Sequence, residues 1–206
     1  MFDFDLRDYE RDYEFIAGVD EVGRGPLAGP VVACAVIMPK GEEIPGVMDS
    51  KKLTPKKREA LDKIIREKAI AIGIGMMDEK AIDEINIRQA TLRAMKEAVL
   101  NLKDAKGNLF KPGYIFVDAE KIDIDIPQEA LIKGDDHCYP IACASILAKV
   151  YRDNIMVKYE DVYPGYDLAK NKGYGTKKHR EALLEKGPTP IHRRSFLRKI
   201  LNGKNK

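Results

Sequence analysis

The sequence predicts an α/β protein, and two observations predict it. Short apolar runs bounded by glycine or proline recur along the chain, and stretches with apolar residues at helical spacing lie between them. The 206 residues carry no internal repeat and no low-complexity linker. That length suffices for one well-buried core or two small ones.

The elements follow in order. The first strand is expected over 15–20, Phe15-Ile16-Ala17-Gly18-Val19-Asp20, with Glu21 beside it and Gly23-Arg24-Gly25 just beyond. A second covers 30–38. Thr54-Pro55 opens a helix over about 55–67, with proline at its first position. The strand over 69–77 is apolar almost throughout but broken by Gly73 and Gly75, as fits a strand buried on both faces with a close approach or a bulge. Asn86 and Gln89 form a capping-box-like pair for a helix over about 87–102. Its apolar face is Ile87, Thr91, Ala94, Met95, Ala98 and Leu102. Strands over 113–118 and near 129–133 come next. A long helix over about 140–159 buries Cys143, Leu147 and Val150, while Ser145, Lys149 and Arg152 fall on a different, polar face. Residues 177–201 read as one or two shorter helices divided by Gly187-Pro188-Thr189-Pro190. Element order alone does not tell which strands run antiparallel.

Composition narrows the class. Hydrophobic residues make up 44% and charged residues 33%, the balance of a globular chain rather than a disordered one. No apolar run approaches the ~20 residues of a membrane span. The acidic, interrupted start is not a signal peptide. Cys34, Cys138 and Cys143 are an odd set without CxxC spacing, expected as buried, reduced thiols of a cytoplasmic protein. The net charge of +3 hides an asymmetry: residues 170–206 hold 12 Lys+Arg against 2 Asp+Glu. A basic end on an acidic body suggests a polyanion partner.

Asp20 and Glu21 are costly to desolvate without a neutralising cation, and hard divalent ions prefer oxygen ligands. Asp118 ends the run Tyr114-Ile115-Phe116-Val117 and repeats the pattern, so two strand-end carboxylates can share one ion. Successive strand residues point to opposite faces, so Asp20 and Glu21 meet at one site only if the strand frays or bends there. No GxSxG or P-loop offers another nucleophile or phosphate cradle. The pair His137-Cys138 reads as packing.

Residues 18–30, opening Gly18-Val19-Asp20-Glu21-Val22-Gly23-Arg24-Gly25, resemble the signature of the type 2 ribonucleases H, and most closely the bacterial ribonuclease HII family. Further blocks agree in the same order: Asp49-Ser50-Lys51-Lys52-Leu53, Val117-Asp118, Lys133-Gly134-Asp135, the segment 144–153, and Asn171-Lys172-Gly173-Tyr174-Gly175-Thr176. The resemblance runs from about residue 15 to about residue 195. It implies a ribonuclease H-like fold with a mixed five-stranded sheet and a helical C-terminal extension. One catalytic domain over 1–206 is expected, with its core at about 15–160 and the extension at about 161–206.

The resemblance also implies an activity: metal-dependent hydrolysis of the RNA strand of RNA–DNA hybrids, and cleavage at single ribonucleotides embedded in duplex DNA. The ends would be 3′-hydroxyl and 5′-phosphate, and the cofactor two ions of Mg²⁺ or Mn²⁺. The four catalytic carboxylates would be Asp20, Glu21, Asp118 and Asp135, with Asp136 the rival of Asp135. Gly23, Arg24 and Gly25 would read the 2′-hydroxyl, and Tyr174 would stack on a sugar beside the scissile junction. Ser50, Lys51 and Lys52 look like phosphate contacts, with Lys149 and Arg152 as further ones. His179, Arg193 and Arg194 are candidates for the duplex track. A monomer without membrane contact is expected. Two alternatives stand beside this: ribonuclease HIII, whose extra N-terminal domain does not fit the roughly 14 residues before the first strand, and a non-catalytic hybrid-binding module, which the presence of all four acids disfavours.

Overall fold

In a computed structural model describing residues 2–41 and 43–201, three strands form an antiparallel meander: β1 (Ile16–Val22), β2 (Val31–Ile37) and β3 (Ala71–Met77). β4 (Tyr114–Asp118) adds to the free side of β1 in parallel, and β5 (Gln128–Leu131) adds in parallel to β4. The sheet is therefore mixed and five-stranded, in the order β3-β2-β1-β4-β5. Helices α3 (Glu79–Ile85) and α4 (Ile87–Leu100) lie in the connection from β3 to β4, the kind of long crossover that a parallel neighbour requires.

Strand alternation sorts the side chains onto two faces. Ala17, Val19, Ala33, Ala35, Ile115 and Val117 pack with Ala90, Ala94, Met95 and Ala98 of α4. Gly73 and Gly75 let α4 lie directly on β3: a Cβ at either would overlap the carbonyl of Ala98 or Ala94. On the other face, Cys34 and Val36 pack with Ala142, Cys143, Ile146 and Leu147 of α6 (Tyr139–Val162), and Leu61 and Ile65 of α2 (Pro55–Lys68) join them. Gly18 brings β1 against Pro140 at the start of α6, where a Cβ would collide with the main chain. Burying such Ile and Leu side chains contributes about 1.5–3 kcal/mol each. All three cysteines are free and buried. Burial pushes the thiols of Cys138 and Cys143 up to about 12, so they stay protonated and inert.

The long helix departs from the expected two-faced pattern. Every residue from 139 to 148 is buried, and so is Arg152. The sheet, α2 and the C-terminal segments enclose it from several sides. Four short elements complete the chain before its C-terminal part: α1 (Arg7–Asp12), a 3-10 turn (Ser50–Lys52), α3, and α5 (Gly134–His137). Tyr9 and Tyr13 lie in and just after α1 and stack with Tyr114 and Phe116 of β4. Residues beyond α6 form α7 (Leu168–Asn171), α8 (Lys177–Lys186) and α9 (Arg194–Leu201). They are no detachable basic tail: Tyr166, Leu168, Leu183, Ile191 and Leu197 form a core with Leu27, Ala28 and Met156. Lys204 and Lys206 of the basic end lie outside the described residues. Among the described residues, no helix is long and apolar enough to cross a membrane.

Candidate active site

The register between β1 and β4 builds the site. Gly18 pairs with Phe116 and Val19 with Val117. One step further along these parallel strands stand Asp20 and Asp118, level with each other and on the face turned to α6. Asp20 is buried, and its Oδ1 accepts the Glu21 N–H at 2.7 Å. Asp118 Oδ1 accepts the Gly134 N–H at 2.8 Å. Glu21 starts from the opposite face, and β1 does not fray as expected: it stays paired with β2 through Val22. Pairing with β4 instead stops at Val19, and the longer glutamate side chain reaches round the open side. Carboxylate oxygens of Asp20, Glu21 and Asp118 lie within 4.8 Å of one another.

The electrostatics are one-sided. Burial first, then the charges of Glu21 and Asp118, push the Asp20 carboxyl well above its ordinary range. Burial also raises Glu21, against the opposing pull of Arg24 and Lys51, and raises Asp118 against its hydrogen bond from Gly134. Three converging oxygen donors short of positive charge fit a hard divalent cation.

The structure brings Asp135 next to this cluster but not into it. Asp135 is buried, and its Oδ2 lies 3.0 Å from Lys51 Nζ. Lys51 is largely exposed and also reaches within 3.9 Å of Asp49. Partial burial alone would lower the Lys51 ammonium, but Asp135, Asp49 and Asp20 together hold it above its ordinary value. Asp136 turns outward to pair with Lys52. The Ser50 hydroxyl is buried against Ser145 at 2.8 Å, so it does not face the surface as a phosphate contact would. Ser145 also hydrogen-bonds Asp20, a site role that sequence reasoning did not assign although it placed Ser145 on a polar face. Its signal was present, a small hydroxyl three residues from Ala148 and Ala142 on an otherwise apolar stretch of helix.

Two buried arginines correct the expectations: Arg193 for the duplex track and Arg152 for the phosphate contacts. Arg193 is fully buried and donates to the carbonyls of Gly23 (2.6 Å), Arg24 (3.1 Å) and Gly29 (2.7 and 2.9 Å). Arg152, also fully buried, donates to Ala28 (3.1 Å), Pro30 (2.9 Å) and Lys172 (2.9 Å). Both clamp the segment 23–30 from behind instead of facing a ligand. Lys149 is paired with Asp153 at 2.7 Å, and His179 is buried. Of the basic candidates in the extension, Arg194 remains exposed. His137 sits at the surface on Asp3 (2.7 Å), while Cys138 packs inside.

The front of the clamped segment is open. Arg24 and Gly25 are exposed, with Arg24 Nη1 3.6 Å from Glu21 and Nη2 4.0 Å from Glu120. Tyr174 is 42% exposed, and its Cε1 lies 3.7 Å from where a Cβ on Gly25 would stand. Cluster, loop and tyrosine therefore form one continuous surface.

A mixed sheet whose parallel central strands carry level aspartates just past their last paired residues, with a third acid beside them, defines a nuclease of the ribonuclease H-like class. The model of the family ribonuclease HII matches residues 17–199. The ribonuclease HII of Alkaliphilus oremlandii is 59% identical over 189 residues, covering 92% of this chain and 93% of that one. The chain belongs to the ribonuclease HII family, and with it to the ribonuclease H endonucleases. Among solved structures, ribonuclease H2 from Pyrococcus horikoshii OT3 has a TM-score of 0.75 at 28% identity, over 93% of this chain and 99% of that one. Bst-RNase HIII in complex with Mn²⁺ shares the fold, with a TM-score of 0.69 at 18% identity over 93% of this chain and 70% of that one.

Proposed function

We propose that this protein cuts the RNA strand of RNA–DNA hybrids and cuts duplex DNA at single embedded ribonucleotides, leaving 3′-hydroxyl and 5′-phosphate ends. The observation that carries this reading is the continuity of the three-carboxylate cluster with the exposed Arg24-Gly25 backbone, through Arg24 and Glu21 at 3.6 Å. Asp20, Glu21 and Asp118 would hold Mg²⁺ or Mn²⁺, with Asp135 as the fourth carboxylate at the rim. Such cations, when bound, supply an activated water for attack on phosphorus and neutralise charge on the phosphoryl group. The manganese in the Bst-RNase HIII structure is consistent with this choice.

The chain's own residues do the rest. Ser145 and the Glu21 N–H orient Asp20, and the Gly134 N–H orients Asp118, so the carboxylates need little rearrangement. Gly23 and Gly25 leave the loop backbone bare, and Arg24 and Gly25 meet the sugar edge where only a 2′-hydroxyl separates RNA from DNA. Tyr174 stacks on the neighbouring sugar, and Lys51 contacts a phosphate. The 2′-hydroxyl is a recognition element, not the nucleophile, which accounts for the ends. The protein would act as a monomer.

The test is cleavage of a DNA duplex carrying one ribonucleotide, in Mg²⁺, Mn²⁺ and chelator. Cutting beside the ribonucleotide only with a divalent ion is expected, and the 2′-deoxy and 2′-O-methyl duplexes should resist. Comparable cutting of the deoxy duplex overturns the reading.

A further inference from the structure

Behind the loop and Tyr174 lies a buried pair of histidines. His179 and His192 are 0% and 2% exposed, and their Nε2 atoms are 2.9 Å apart. Each outer nitrogen has a main-chain partner of fixed character. His179 Nδ1 is 3.0 Å from the Tyr174 carbonyl, which can only accept. His192 Nδ1 receives the Thr189 N–H at 3.0 Å, which can only donate, and the Thr189 hydroxyl at 2.8 Å can serve as a second donor. With both rings neutral, one arrangement satisfies every contact: His179 carries its proton on Nδ1, and His192 carries its proton on Nε2 and donates it to His179. The ring of Tyr166 lies beside both imidazoles.

This pair joins two strands of the reading surface. His179 holds the Tyr174 carbonyl. His192 precedes Arg193, whose guanidinium holds Gly23, Arg24 and Gly29. The segment between them is stitched to both sides: Leu27 N–H to the Gly173 carbonyl (2.8 Å), Gly29 N–H to that of Ile191 (2.9 Å), and Arg193 N–H to that of Leu27 (2.9 Å). An apolar pair would fill the same space, but it would not tie Tyr174 to the 192–193 segment.

We propose that His179 and His192 are positioning residues for ribonucleotide recognition, holding Tyr174 in register with the Gly23-Arg24-Gly25 loop. This rests on the reading of that loop and of Tyr174 given above. Neither imidazole touches substrate. Their effect passes through the Tyr174 main chain on one side and through Arg193 on the other.

Two substitutions at one position separate positioning from packing. Asparagine in His179→Asn places an amide nitrogen where Nδ1 stood, keeping the bond to Tyr174. Glutamine in His179→Gln keeps an acceptor for His192 but loses Tyr174. On the single-ribonucleotide duplex, His179→Gln should raise KM about tenfold with kcat changed less than about threefold, whereas His179→Asn should stay within about threefold of wild type in both. Equal kinetics for the two variants, or a KM unmoved in His179→Gln, would show a merely structural role. One measurement needs no variant and no activity: ring-nitrogen NMR of the wild-type protein at pH 7 should show neutral rings, Nδ1–H on His179 and Nε2–H on His192. Reversed tautomers or a charged ring would overturn the proposal even if the glutamine variant fails to fold. A wild-type protein that ignores the ribonucleotide would sink the functional reading instead, leaving the tautomer result to decide whether the pair is built as described.

Discussion

Replacing Asp118 by asparagine should make the metal-free protein more stable while nearly abolishing its cleavage. The amide oxygen keeps the acceptor for the Gly134 N–H, so the local fold is retained. What disappears is one of three carboxylates whose oxygens lie within 4.8 Å of one another. At that spacing and an effective dielectric near 20, two full charges repel by about 3 kcal/mol. Asp118 is partly exposed, and Asp20 escapes part of the repulsion by holding its proton, so a net gain of ~1–2 kcal/mol is expected. For a chain of this length that is roughly 2–8 °C in Tm. The sign with pH follows from the same groups. Their folded pKa values are raised, so the folded state releases these protons later than the unfolded one, and metal-free stability falls as pH rises past the ordinary carboxylate range. The variant should show a shallower fall. Saturating Mg²⁺ reverses the ranking: at a hundredfold excess over Kd the wild type gains ~2.7 kcal/mol, and the variant, short of a ligand, gains much less. Thermal melts of both proteins in chelator and in Mg²⁺ give all four values, and single-turnover assays should show a loss of ~10²–10³-fold in cleavage. A variant less stable than wild type in chelator, or one stabilised equally by Mg²⁺, would refute the reasoning.

Three further outcomes are expected. Gly25→Ala should leave the melting temperature nearly unchanged, since its Cβ meets only Tyr174 at 3.7 Å, yet slow cutting at an embedded ribonucleotide; Gly23→Ala, at φ 101° and against the Arg152 side chain, should cost at least ~1–2 kcal/mol in a denaturant melt. Burial and the neighbouring His179 pull His192 down to about 4, so the folded state resists a proton that the unfolded chain accepts near 6.5. Stability held above pH 6.5 is therefore lost as pH falls towards 4, and between pH 7 and 5 the wild type should lose ~2 kcal/mol more than His192→Gln does, read from urea melts at both pH values. Lys51→Met should change stability by less than ~1 kcal/mol, because Lys51 is largely exposed, while reducing the slope of log binding constant against log salt by about one, measured by duplex titration.

The sheet and the long helices were legible because their signals are local: apolar runs, Pro55 at a helix start, Asn86 as a cap. The short helices were not. α5 has four residues and no side-chain cap, and α3 announces itself only through Asp78, whose side chain accepts the Ala81 N–H. At the site, Asp118 could be picked out as a strand end and Asp20 as the close of an apolar run, though β1 continues to Val22. Their meeting depends on β1 and β4 running parallel with Val19 opposite Val117, which no local pattern contains. Arg152 and Arg193 were read as surface charge because lysine and arginine usually are. Apart from the Lys172 carbonyl held by Arg152, their partners are main-chain carbonyls 122 to 170 residues away in sequence, and such partners leave no trace in residue types.

The Arg193 clamp also sets a timetable. During synthesis the strands and the long helix emerge before residue 193, so the sheet can pair while the carbonyls of Gly23 and Gly29 still lack their donor. That contact spans 170 residues, so its loop can close only after residue 193 has emerged. A growing chain thus acquires its carboxylates early and the backing of the Gly23-Arg24-Gly25 loop only after residue 193 has emerged. A product cut short before Arg193 would carry the carboxylates with the Gly23 and Gly29 carbonyls unclamped.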